Sequence, residues 1–283
     1  MFISAGTSST TTSSFPGEID LPTETVFSLS QGHLQLLSSC PRKFQHVYLE
    51  QLGLSPQHPE QQSRQELGTR FHQLMQQREL GLPIDNFWQT DPQLNRWFAA
   101  FMCAPPPLLE GLRQSEHRRT LLFENYLLVA VYDLLVEADQ RAQILDWKTY
   151  SRPQNPAWLR QNWQSRLYPF ILVESSDYQP EQVSLTYWFA EAPENTEHSL
   201  TLPYGPDWHE QTRQELTLLL SQLNQWLERY RAGEDFPQID RAAGQCVGPT
   251  SQCSFAIRCD RMDASTRDVT LPPGVADVPE IPL

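Results

Sequence analysis

Two short runs, VYDLL (131–135) and ILDWKT (144–149), constrain this chain most. Each is an apolar stretch of strand length interrupted by charge. The polar Asp139-Gln140-Arg141 lies between them, which predicts a β-hairpin. With a turn there, Asp133 falls opposite residue 146 or 147. Opposed side chains on paired strands are ~5 Å apart. Two carboxylates that close repel each other unless a cation sits between them or one keeps its proton. Mg²⁺ or Mn²⁺, which favour oxygen ligands, would fit between Asp133 and Asp146. Lys148 lies two residues beyond Asp146 and so shares its face of the strand. Carboxylates holding a metal beside an ammonium can hydrolyse a phosphodiester.

Asp-x-Lys alone is common and often no more than a surface ion pair. Two features shift the balance here. The flanking Ile144, Leu145 and Trp147 are apolar, and Lys148 is one of two lysines against nineteen arginines. A chain that takes its general cationic surface from Arg needs a compact point charge at this position.

The rest of the chain supplies a frame. Residues 1–25 are rich in Ser, Thr and Pro, and 263–283 are Pro-rich without helical period; both are expected to be disordered. Between them, 26–262 read as one domain. Its first part is helical: 27–52 as two short helices meeting at Cys40-Pro41, 61–80 as one helix, and 85–120 as a helical stretch broken at 104–107. Strands follow at 121–139, 142–150, 183–191 and 198–204, with helices at 155–176 and 206–236. The class is α/β, a small mixed sheet flanked by helices, with the helical region at about 60–120. No apolar run reaches the ~20 residues a membrane helix needs, and the first residues lack the form of a secretory signal. The cytoplasm is the expected place. The charge of −13 counts against a broadly basic nucleic-acid surface but leaves room for a local one.

These residues together resemble the PD-(D/E)XK nuclease superfamily, and within it the RecB-like branch that includes Cas4 and AddB nuclease domains. LSSCPRKF (37–44) is similar to that family's opening helix-Cys-Pro-x-x-Phe stretch, and LGTRFHQLM (67–75) to its Gly-Thr-x-x-His helix. VYDLL and ILDWKT match its two active-site strands, and QSRLY (164–168) its Gln-x-x-x-Tyr helix. The resemblance implies a restriction-endonuclease-like core. It implies that Asp133, Asp146 and His72 bind Mg²⁺ or Mn²⁺, that Lys148 is the catalytic lysine, and that Gln164 and Tyr168 organise the site. The Gly that usually precedes the first Asp is missing; Val129-Ala130-Val131-Tyr132 stand there.

Of five cysteines, Cys246, Cys253 and Cys259 crowd the C-terminal part and Cys40 lies far upstream. Four thiolates suit iron–sulfur or zinc. In the AddB- and Cas4-like members one N-terminal and three C-terminal cysteines hold a [4Fe-4S] cluster, which the resemblance implies here, with Zn as the alternative. Six residues separate Cys246 from Cys253, where the family usually has two. Cys103 reads as core. Arg42, Lys43, Arg70, Arg152, Arg160 and Arg166 are the cations nearest the motifs and the candidates for DNA phosphate contacts. Trp158 and Trp163 are candidates for stacking on unpaired bases. The resemblance thus implies a DNA nuclease, expected to act as an exonuclease on single-stranded ends in repair, recombination or defence, alone or beside a helicase. The alternative is a silent nuclease-fold subunit that binds DNA or protein.

Overall fold

The computed structural model describes residues 27–53, 59–89, 91–153, 156–193, 196–241, 246–247 and 253–262. The leader and the Pro-rich tail lie outside the described residues.

The chain opens with β1 (Phe27–Leu29), α1 (Gln31–Ser39) and α2 (Pro41–Phe44), and α2 runs into a π-turn, Gln45–Leu49. Ser30 caps α1, and Cys40 with Pro41 stops α1 and starts α2. Then come α3 (Pro59–Glu79), α4 (Asp85–Trp88) and α5 (Pro92–Cys103). Three long strands follow: β2 (Leu112–Phe123), β3 (Tyr126–Ala138) and β4 (Arg141–Ser151). A 3₁₀ turn (Pro156–Gln161) leads to α6 (Trp163–Glu174), and β5 (Val183–Glu191), β6 (Ser199–Pro203) and α7 (Pro206–Arg231) complete the order.

Several boundaries differ from the sequence reading. The helical stretch expected to reach residue 120 ends at Cys103, and from Leu112 the chain is strand. The expected strand 121–139 is two strands turning at Glu124-Asn125, where Glu124 takes φ 51. The expected helix 155–176 is the 3₁₀ turn plus α6, and α7 stops at Arg231, short of 236. Cys103, expected in the core, ends α5 and is exposed.

The sheet is six-stranded and mixed, in the order β1-β3-β4-β5-β6, with β2 also on β3. Helices cover both faces. On one face Leu34 of α1, Leu167, Phe170 and Ile171 of α6, and Leu216, Leu220 and Leu223 of α7 pack on Leu128, Tyr132, Ile144, Leu185 and Tyr187. On the other, Phe71 and Met75 of α3 and Trp97 and Phe101 of α5 pack on Leu134, Val136, Leu145, Trp147 and Trp188. These strands are buried on both faces, which explains their nearly unbroken apolar runs.

The side-chain alternation slips once. On β3, Leu128, Ala130 and Tyr132 face α6, whereas Leu134 and Val136 face α3 and α5. All five positions have the same parity, so the strand rotates between 132 and 134, around Asp133.

Candidate active site

That rotation is where the site forms. The β3–β4 ladder runs from Ala138↔Arg141 to Leu134↔Leu145 and stops. One step further, Asp133 and Asp146 stand opposite each other on diverging strands. Asp133 Oδ2 accepts the Trp147 backbone N–H at 2.6 Å, standing in for a ladder carbonyl. Its Oδ1 lies 3.1 Å from His72 Nδ1.

Asp146, Lys148 and Gln164 close a ring of contacts. Lys148 Nζ is 2.7 Å from Asp146 Oδ1. Lys148 Nζ donates to Gln164 Oε1 at 2.8 Å, and Gln164 Nε2 donates to Asp146 Oδ2 at 2.5 Å. The Tyr187 ring lies 5.5 Å from Nζ, and its hydroxyl is 2.7 Å from Ser165 Oγ. Asp146 is 2% exposed and Lys148 6%. An isolated charge buried that deeply would cost several kcal/mol. The pair is held by Gln164, which hydrogen-bonds both partners. Gln164 is placed by the start of α6, where the Asn162 side chain accepts its backbone N–H at 3.0 Å.

His72 reaches Asp133 because α3 lies close to the sheet. A Cβ on Gly68, one helical turn earlier, would stand 3.2 Å from Thr149 Oγ1 on β4. Gly68→Val is therefore expected to push α3 off β4 and withdraw His72. Mn²⁺ affinity, measured by calorimetry, should fall at least about tenfold, the scale seen when a group that orients a metal ligand is lost.

A third acid completes the group. Ser115↔Leu134 and His117↔Tyr132 bracket Glu116, which therefore lies across from Asp133. Glu116 has φ 50, a left-handed conformation that costs a non-glycine residue about 1–3 kcal/mol. His72, Glu116 and Asp133 offer ligand atoms all within 4.8 Å of one another. Burial first, then the Asp133 carboxylate, push the Glu116 carboxyl up to about 7, with His72 opposing them. An imidazole and two crowded carboxylates are a donor set that suits Mg²⁺ or Mn²⁺. Sequence reasoning missed Glu116. The only available signal was its position opposite Asp133, which required β2 to be read as a strand.

Tyr168, one turn after Gln164, packs its ring edge-on against Tyr132 at 5.3 Å and accepts the Tyr132 hydroxyl at its carbonyl. The cations disperse. Arg70 pairs with Asp91 at 3.1 Å, and Arg166 pairs with Glu215 beside the Trp163 ring. Arg160 covers Trp208, and Arg152 donates to the carbonyls of Glu197 and Ser199. Arg42 donates to Phe236 O at 2.7 Å and to Asp235 at 2.8 Å. Trp158 is 45% exposed, while Trp163 is buried and donates its indole N–H to Ser38.

Arg42 and Lys43 belong to a second feature. With Phe255 and Ala256 they line a pocket that also contains Cys40, Cys246, Cys253 and Cys259. Cys40 Sγ accepts the Lys43 N–H at 3.4 Å, and the Cys253 N–H donates to the Cys246 carbonyl at 2.9 Å. Burial raises the Cys253 and Cys259 thiols, and neighbouring cysteines add to the rise at Cys259. Among the described residues, no three of these sulfurs lie within 4.8 Å of one another.

A mixed six-stranded sheet flanked by helices, with acids at a divergence of two strands, is a restriction-endonuclease-like fold. The chain belongs to the PD-(D/E)XK nuclease superfamily, whose family model matches residues 28–260. That membership places it among metal-dependent phosphodiester hydrolases. No curated protein matches it. A solved structure titled "Crystal structure of SSO0001" is similar at 9% identity and TM-score 0.35, over 83% of this chain and 87% of that one. Among the described residues, no helix is long and apolar enough to cross a membrane.

Proposed function

We propose that this chain is a RecB-like, Mg²⁺- or Mn²⁺-dependent deoxyribonuclease, an exonuclease that trims single-stranded ends in repair, recombination or defence. The observation that carries the reading is the convergence of His72, Glu116 and Asp133 beside the Asp146–Lys148–Gln164 ring. His72, Asp133 and Glu116 would hold the cation; Asp146, also expected as a ligand, is turned to Lys148 and Gln164 and lies outside that group of ligand atoms. When bound, it supplies Lewis-acid activation of water and neutralises charge at the phosphate. Asp146 and Gln164 hold the Lys148 ammonium in place. Lys148 presents its charge where negative charge develops on the phosphate oxygens. The exposed Trp158 offers a stacking surface for an unpaired base, which favours single strands.

A [4Fe-4S] cluster at Cys40, Cys246, Cys253 and Cys259 belongs to this reading. Four cysteines lining one pocket offer the thiolate set such a cluster needs, with zinc as the alternative. Clustered thiols fit a reducing cytoplasm, and the acidic body would suit a basic partner such as a helicase.

The test is digestion of end-labelled single-stranded DNA by anaerobically purified protein with Mn²⁺, beside Asp146→Asn. Cleavage by the parent alone supports the reading. No cleavage by either points to a silent DNA- or protein-binding subunit.

Glu116 adds a pH signature. Its raised carboxyl pKa in the fold means the folded state holds a proton that the unfolded chain has released. Metal-free stability should therefore fall as pH rises from about 4.5 to about 7. Glu116→Gln should flatten that fall in thermal melts and weaken Mn²⁺ binding in calorimetry.

A further inference from the structure

One histidine beside the cysteine pocket is explained neither by the cleavage site nor by the cysteine pattern. His46 is 3% exposed. Its Nδ1 lies 2.9 Å from Glu50 Oε2, and its Nε2 lies 3.6 Å from Cys259 Sγ. The Phe255 ring packs against it, with centroids 5.0 Å apart. Glu50 is itself held: Gln45 Nε2 donates to Oε1 at 2.6 Å, and Arg258 donates to Oε2 at 3.2 Å. The backbone serves the same end. The Gln45–Leu49 turn is a π-turn, closed by the Glu50 N–H donating to the Gln45 carbonyl at 3.0 Å. Such turns often mark functional positions. The result is a buried imidazole wedged between a carboxylate and a cysteine sulfur, with both its position and its plane fixed. Carboxylate-oriented histidines of this kind recur around metal ligands.

We infer that His46 is a positioning residue of the cysteine site, oriented by Glu50, that hydrogen-bonds the Cys259 sulfur and tunes the reduction potential of the bound centre. The inference rests on the cluster reading above. A thiolate ligand has no proton of its own, so the contact persists as an N–H···S bond from Nε2, with the ring carrying both its protons as the imidazolium and the Glu50 carboxylate accepting the Nδ1–H. A donor to a ligand sulfur draws charge from it and stabilises the reduced, more negative cluster. One electron enters the centre on reduction, and no bond to the protein breaks.

The experiment is a dithionite titration of the anaerobically purified full chain, followed by visible absorption and electron paramagnetic resonance. Iron and sulfide are assayed in every sample, and folding is checked by circular dichroism. His46→Leu should move the midpoint to a more negative potential. His46→Gln, whose amide N–H can occupy the Nε2 position, should restore it. Glu50→Gln should give a smaller shift in the same direction, and it decides the matter if His46→Leu does not fold. A midpoint unmoved in the folded variants overturns the inference alone. A folded His46→Leu protein without iron makes His46 a ligand and also overturns it. A parent protein lacking iron and sulfide overturns the cluster reading and this inference with it.

Discussion

Lys148→Ala is expected to reduce cleavage of labelled single-stranded DNA in Mn²⁺ by at least about a hundredfold. That is the usual cost of removing one preorganised charge partner of a transition state. The protein has few ways to compensate. Lys148 is one of two lysines in the chain. The other, Lys43, lies at the cysteine pocket. The substitution also strands the buried Asp146 carboxylate, with Gln164 as its remaining partner in the ring. Breaking a buried pair in this way costs about 3–5 kcal/mol. Two readouts separate the effects. If lost stability were the whole cause, cleavage assayed well below the variant's melting temperature would return to the parent's level. The expected result is that it stays low in the folded variant. Lys148→Arg should also remain poor, because a planar guanidinium cannot take the ammonium's place between Asp146 and Gln164. Cleavage by Lys148→Ala within threefold of the parent would remove Lys148 from the chemistry.

On the cluster reading proposed above, Cys40→Ser is expected to abolish the iron–sulfur absorption and lower the melting temperature by roughly 10–20 °C. A cross-link closing a loop longer than 100 residues is worth about 5 kcal/mol in the chain-entropy account, and each kcal/mol moves a domain of this size by about 2–4 °C. Cys103→Ser is the control, since Cys103 is exposed on α5. It should match the parent in iron content and in melting. Equal losses from the two substitutions would remove Cys40 from the cluster.

Much of the site was legible because burial and charge coincide there. Apolar runs of strand length placed β4 and most of β3, and the ladder, extended one step past Leu134↔Leu145, sets Asp133 across from Asp146. The Gly-Thr-x-x-His spacing placed His72 one turn from a glycine whose added Cβ would stand 3.2 Å from Thr149 Oγ1. Glu116 was hidden because β2 lies at the sheet edge and its residues are mostly half-exposed, so LRQSEHRRTLLF lacks an apolar period. The rotation of β3 at Asp133 was hidden because both faces of that strand are apolar. The partners of Arg42, Arg152, Arg160 and Arg166 are distant in sequence or set by loops, and no local pattern encodes them.

The joining of Arg42 to Asp235 and of Gln45 to Phe236 carries a consequence for synthesis. These contacts span 193 and 191 residues. Arg42 and Gln45, near the start of the domain, therefore cannot meet these partners until almost the whole chain has left the ribosome. N-terminal-first folding, the ordinary course for a nascent domain, is closed to them. Through most of translation Cys40 waits as a lone thiol. The last of its companions, Cys259, lies beyond even those contacts. Assembly of the cysteine pocket thus waits for the last part of the chain, and a chain cut before Asp235 would leave Arg42 and Gln45 without the segment they hold.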